Sequence, residues 1–142
     1  MNLSTPILRW RAAWRRYRSL DQRGERAAER YLRQLGYQIV GRRERGRLGE
    51  IDLVAVDGRP IVFVEVKTRR WTVAGRPDEA VDAGTQQRLT RLALAYLKRH
   101  QLLECSARFD VLGVTWPPGA RSPKIEHFRN AFEAVGRGQL FR

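Results

Sequence analysis

Gly49-Glu50-Ile51-Asp52-Leu53-Val54-Ala55-Val56-Asp57-Gly58 is followed, after Arg59 and Pro60, by Ile61-Val62-Phe63-Val64-Glu65-Val66-Lys67. Asp57-Gly58 between two apolar runs is a turn signal, so residues 50–57 and 60–67 read as adjacent antiparallel strands. Side chains two apart share a strand face. Glu65 and Lys67 therefore fall on the side of Ile61 and Phe63, and Val62, Val64 and Val66 fill the other. A strand apolar on both faces is a buried one. Charges there are costly unless they are paired or bound to a metal, so Asp52, Glu65 and Lys67 need a reason to be in a core.

A metal site that cuts phosphodiesters supplies that reason. Asp52 and Glu65 become neighbours across the hairpin, and with the intervening backbone carbonyl they form an all-oxygen cluster. Such a cluster suits a hard divalent cation, magnesium with manganese as a substitute, better than zinc. The Lys67 ammonium beside it is placed to orient or help deprotonate an attacking water and to offset charge developing on a scissile phosphate. A lone Glu-x-Lys on a strand is more often a solvated, salt-bridged face. The Asp in the preceding apolar strand and the basic chain around it set this case apart.

The 142 residues carry 28 Lys and Arg against 15 Asp and Glu, a formal charge of +13. That excess calls for a polyanionic partner bound in a salt-sensitive way, and nucleic acid fits, DNA ahead of RNA. The excess is concentrated in residues 1–48, where 13 arginines face only Asp21, Glu25, Glu29 and Glu44. Contacts to the phosphate backbone are expected from Arg42, Arg43, Arg45 and Arg47, and from Thr68, Arg69, Arg70 and Trp71 beside the acidic strands. Gln86 and Gln87, near the start of a second helix, could add hydrogen bonds to phosphate. Ordinary solvated arginine is the plainer alternative for the whole group.

The length fits one compact unit. Residues 21–35 make an amphipathic helix stopped at Gly36, and Tyr37–Arg45 reads as a strand leading into a basic turn. After the central hairpin, 68–83 reads as a loop. Leu89, Leu92, Ala93, Tyr96 and Leu97 then mark a second helix, Phe109–Thr115 a fourth strand and Lys124–Phe128 a fifth. The result is an α/β sandwich, a central mixed sheet flanked by helices in the order α-β-β-β-α-β-β. A dinucleotide-binding fold is excluded, because no glycine fingerprint follows a first strand and three strands come without intervening helices. The domain proper spans 21–133, with a loose tail over 134–142. In residues 1–20, Trp10, Trp14 and Tyr17 recur at helical spacing among five arginines. A packed helix, an arm holding nucleic acid and a presequence all fit that pattern.

Cys105 is the single cysteine, which rules out an internal disulfide and fits a reducing cytoplasm. It reads as a small hydrophobe rather than a catalytic thiol. His100 and His127 read as a helix-end residue and a strand or loop residue, not metal ligands. No stretch approaches the length of a membrane span.

Asp52 followed by Glu65-Val66-Lys67 resembles the core of the PD-(D/E)XK nucleases, although no Pro precedes Asp52. A narrower likeness adds Gly24-Glu25-Arg26-Ala27-Ala28, Gly36-Tyr37, Gly49-Glu50-Ile51-Asp52-Leu53, Phe63 to Arg69, Glu79-Ala80-Val81 and Phe109-Asp110-Val111. Over roughly 21–133 these motifs resemble the YraN family of small bacterial proteins, itself similar in fold to archaeal Holliday junction resolvases. The resemblance implies a restriction-endonuclease-like sandwich, metal ligation by Asp52 and Glu65, and a water-orienting or charge-stabilising role for Lys67. It also implies an outer acidic role for Glu29 or Glu25 on the first helix, and Glu29 is preferred because it flanks the apolar face of Ala28, Tyr31, Leu32 and Leu35. Two functions are carried forward. One is a metal-dependent endonuclease acting on DNA, with branched DNA suggested by fold analogy alone. The other is a nucleic-acid-binding or recruitment protein on a catalytically retired nuclease fold. Monomer and homodimer both stay open.

Overall fold

The computed structural model describes residues 21–71 and 75–136. The aromatic segment 1–20 lies outside the described residues. The first helix, α1, covers 21–34. It buries Ala28 and Leu32, one turn apart, and closes at Gly36, whose φ of 93° is the left-handed conformation that glycine adopts without penalty. The strands are β1 (Gln38–Gly46), β2 (Gly49–Val56), β3 (Ile61–Arg70), β4 (Ala107–Trp116) and β5 (Lys124–Phe132), with helix α2 at Ala83–Arg99 between β3 and β4. The order α-β-β-β-α-β-β is the expected one.

All five strands form one sheet in the order β1-β2-β3-β4-β5. β3 and β4 are parallel and the other pairs antiparallel. Parallel neighbours need a crossover, and the 17-residue α2 provides it. Asp82 caps that helix by accepting the Thr85 N–H at 2.8 Å. The two faces of β3 serve two cores. Ile61 and Phe63 pack with Leu89, Leu92, Ala93, Tyr96 and Leu97 of α2, while Val62 and Val64 pack with Ala28 and Leu32 of α1. The alternation expected along 61–67 is therefore observed, with one helix on each face.

Three strands are longer than the sequence reading, β4 among them at Ala107–Trp116. β3 runs to Arg70 rather than giving way to a loop at Thr68, because β4 pairs with it from Ile61↔Ala107 to Arg70↔Trp116. β5 runs past Phe128 to Phe132, and the extension depends on Asp110. The β4–β5 register slips between Phe109 and Val111, leaving Asp110 opposite a bulge where Asn130 has a φ of 49°. The Asp110 carboxylate is fully buried and takes the bonds the ladder cannot make. It accepts from the Asn130 N–H at 3.0 Å, Arg108 Nε at 3.0 Å and His127 Nε2 at 2.8 Å. With Nε2 as donor, His127 Nδ1 faces the Tyr31 hydroxyl of α1 at 3.3 Å, and Arg108 reaches Tyr37 Oη and Asp57. This network ties β5, β4 and α1 together. Of the strand and loop placements open to His127, the strand is the one observed, His100 ends α2, and Cys105 packs half-buried against the α2-side core. Past β5, Ala134 is buried and the Val135 N–H donates to Thr90 Oγ1 at 3.1 Å.

At Gly24, α1 lies directly against β3. A Cβ built there would lie 1.9 Å from Thr68 Oγ1 and 3.1 Å from Thr68 Cβ. Gly24→Ala is expected to lower stability by about 1–3 kcal/mol through overpacking. Urea unfolding measures this, and Thr68→Ala should recover part of the loss if the contact is the cause.

Candidate metal centre

β2 and β3 pair from Val56↔Ile61 to Leu53↔Val64 and then part. Beyond that point the Val66 N–H donates to Asp52 Oδ2 at 2.8 Å, so a side chain replaces the backbone partner at the place where the strands open. The opening holds a cavity of about 230 Å³ lined by Asp52, Glu65, Lys67, Glu25, Glu50 and Asp21, with Thr68 also on its wall. Asp52, Glu65 and Lys67 are therefore brought together as expected. Lys67 Nζ lies 3.7 Å from Glu65 Oε1.

Carboxylate oxygens of Glu25, Glu50 and Asp52 lie within 4.8 Å of one another. Glu50 and Asp52 stand two apart on β2, and Glu25 comes over from α1. Glu29, the preferred α1 acid in the sequence reading, is turned away. Its carboxylate bonds Arg42 and lies 3.7 Å from Arg33 Nε, on the wall of a neighbouring groove. The reason is where α1 crosses the sheet. The contact of Gly24 with Thr68 brings the adjacent Glu25 to the open strand ends and carries Glu29 one turn past them.

Crowded carboxylates leave their mark on protonation. Burial, then the charge of Glu65, raises the Asp52 pKa well above the usual carboxylate value, and the Val66 N–H offsets only part of this. Glu65 is raised too, by burial, against the pull of Lys67 and Arg88. Burial also raises Asp21, opposed by Lys67 and Arg43. Glu25, Glu50 and Glu65 each have a cation in reach: Arg43 Nε at 2.8 Å, Arg45 Nε at 3.4 Å and Lys67. The donor set is all oxygen, with neither His nor Cys among it. That chemistry fits a hard cation such as magnesium or manganese.

The expected phosphate contacts divide. Arg42, Arg43 and Arg45 are engaged with Glu29, Glu25 and Glu50, whereas Arg47 stands exposed in the β1–β2 turn. Arg69 donates to the Gly75 carbonyl at 2.8 Å, and Arg70 and Trp71 are exposed at the end of β3. Gln86 donates to the Val81 carbonyl, closing the start of α2, and Gln87 is exposed. Three neighbours of the site were absent from the sequence reading. Glu50 was legible, since the two-residue period puts it on the face of Asp52. Asp21 and Arg88 were not. Arg88 lies against Gly49, where a Cβ would come within 2.7 Å of its guanidinium, and its charge acts on Glu65 from the α2 side.

Known proteins similar to this chain agree with one another. Residues 24–114 match the model of a family described as "Uncharacterised protein family UPF0102". A UPF0102 protein of Rhodopirellula baltica is 49% identical over 120 residues, covering 82% of this chain and 72% of that protein. One from Geobacter sulfurreducens is 49% identical over 115 residues, covering 80% and 88%. One from Symbiobacterium thermophilum is 47% identical over 117 residues, covering 82% and 98%.

Proposed function

The chain belongs to the uncharacterised protein family UPF0102, and we propose that it is a divalent-metal-dependent endonuclease that hydrolyses phosphodiester bonds in DNA. The observation that carries this reading is the parting of β2 and β3 around Asp52, which gathers Glu65, Lys67, Glu25 and Glu50 on one acid-lined cavity beside an arginine-bearing strand. Asp52 and Glu65, with Glu25 and Glu50 at hand, would hold magnesium or manganese. The cation supplies Lewis acidity and lowers the pKa of a bound water. Lys67 orients that water and sets a positive charge where negative charge develops on the phosphate. The arginines of β1 position the backbone without reading its sequence. Branched DNA is the substrate class suggested by the likeness to Holliday junction resolvases, and that is an analogy of fold.

One observation favours the second reading, a binding or recruitment protein on a retired nuclease fold. Each of Glu25, Glu50 and Glu65 already has a cationic partner, so the cluster can stand partly neutralised by the chain itself.

Cleavage of branched, flapped, linear and single-stranded DNA, assayed with and without magnesium, tests the proposal. A substrate-independent test is thermal unfolding. A cation that binds only the folded chain stabilises it by about 2.7 kcal/mol at a hundredfold excess over its dissociation constant. Magnesium or manganese should therefore raise the Tm of the wild type by several degrees. Asp52→Asn removes one of the crowded charges and should be at least as stable as the wild type without added metal, with little response to either ion. Equal responses of the two proteins at matched ionic strength would remove Asp52 from the ligands and leave the second reading.

A further inference from the structure

Two of the carboxylates that would hold the cation also hold arginines. Glu25 Oε2 accepts from Arg43 Nε at 2.8 Å, and Glu50 Oε2 lies 3.4 Å from Arg45 Nε, while the same two side chains place oxygens within 4.8 Å of Asp52. Building on the endonuclease reading, we propose that Glu25–Arg43 and Glu50–Arg45 are exchangeable pairs. When the carboxylates take a divalent cation, Arg43 and Arg45 are released to the phosphates of a DNA strand lying in the groove between α1 and β1.

Three observations lead there. Three cavities share walls. The acidic cavity shares Asp21, Glu25 and Glu50 with one of about 110 Å³ that also includes Arg43 and Arg45, and this shares Gln22, Glu25 and Arg43 with one of about 430 Å³ that includes Arg26, Glu29 and Arg42. Glu25 is on the wall of all three. Both arginines also reach solvent, the Arg43 side chain being 37% exposed and that of Arg45 79%. The Glu50–Arg45 pair is open to water on both sides and is weakly held, whereas Glu25 is 18% exposed and holds Arg43 more firmly, so it is the doubly charged ion at coordination distance that must displace Arg43. The third observation limits the exchange. Arg42 pairs with Glu29, which stands outside the carboxylate cluster, so Arg42 keeps its partner whatever occupies the acidic cavity.

The linkage is reciprocal. A cation that frees the arginines strengthens DNA binding, and DNA that draws the arginines away strengthens cation binding by the same factor. A protein built this way engages DNA weakly before its metal centre is filled. Deleting the arginines should then separate two effects that a simple electrostatic attraction would keep together.

The test measures anisotropy of a fluorescein-labelled DNA duplex across a potassium chloride series, with and without calcium, and confirms on gels that the duplex is intact. Calorimetry with calcium and manganese reports cation binding without DNA. Calcium should steepen the salt dependence of the wild type by about two, close to one for each added phosphate contact, and raise affinity on the order of tenfold. The double variant Arg43→Gln/Arg45→Gln should bind the cations at least as tightly, since their competitors are gone, and show the same salt slope with and without calcium. Glu29→Gln should keep the full response. Cation uptake by the wild type with no change in slope overturns the exchange and leaves the endonuclease reading standing. A calcium-induced steepening that persists in the double variant also overturns it, because the ion would then act through its own charge. No uptake of either cation would overturn the exchange and the metal centre together.

Discussion

On the endonuclease reading, Asp52→Asn, Glu65→Gln and Lys67→Ala should each lower magnesium-dependent cleavage by on the order of 10³-fold, about 4 kcal/mol of transition-state stabilisation. The three substitutions act on one opening between β2 and β3, so the double and triple variants should lose little more than any single one. Residues that work as a unit are strongly non-additive. DNA affinity should change far less, because phosphate contacts come from arginines outside this cavity. Side-chain placement supports each part. Asp52 is anchored by the Val66 N–H, and an Asn there still accepts that bond through its amide oxygen while losing the charge. Lys67 lies 3.7 Å from Glu65, so Lys67→Ala removes both the ammonium and the counter-charge that opposes the burial-driven rise of Glu65. Rates come from single-turnover assays on whichever substrate the wild type cuts. Cleavage that survives in all three variants at the wild-type rate would sink the assignment and point to a contaminating nuclease.

Asp110→Asn produces the largest expected loss of stability, about 3 kcal/mol and roughly 10 °C in Tm. The carboxylate has no solvent exposure and serves Arg108, His127 and the Asn130 N–H together, so neutralising it leaves Arg108 with Asp57 as its remaining anionic partner and weakens the bulge that extends β5. Its pH dependence has a definite sign. Burial raises the Asp110 pKa, but the hydrogen bonds from His127, Arg108 and Asn130 outweigh burial and leave it below the ordinary value of 3.8. A folded-state pKa below the unfolded one means the unfolded chain binds the proton first. The stabilisation is therefore complete above pH 3.8 and is lost as pH falls from there through the lowered folded value. Urea unfolding between pH 7 and about pH 2 should show this acid-limb loss in the wild type and a flatter curve in Asp110→Asn. Equal stability of the two proteins at neutral pH would mean that β5 is held by its apolar contacts alone.

Sequence by itself determined the hairpin and the faces of its strands. Asp57-Gly58 and the two-residue period are local facts, and backbone geometry turns them into an antiparallel pair with Asp52 opposite the Glu65-x-Lys67 face. It also determined the end of α1 at Gly36 and the apolar stripe of α2, for the same reason: each depends on neighbours in the chain. Tertiary structure decided what depends on approach between distant segments. The reach of β3 to Arg70 came from its parallel partner, and that of β5 from a buried Asp with no local signature. Whether Glu25 or Glu29 meets Asp52 turned on where Gly24 lets α1 touch Thr68, about 44 residues away along the chain, and a helix period repeats too evenly to reveal that point. The engagement of Arg42, Arg43 and Arg45 with three carboxylates was hidden for a related reason. Charge balance along a sequence shows how much cation there is, but ion pairs hold only within a few ångströms, and only the folded chain sets those distances.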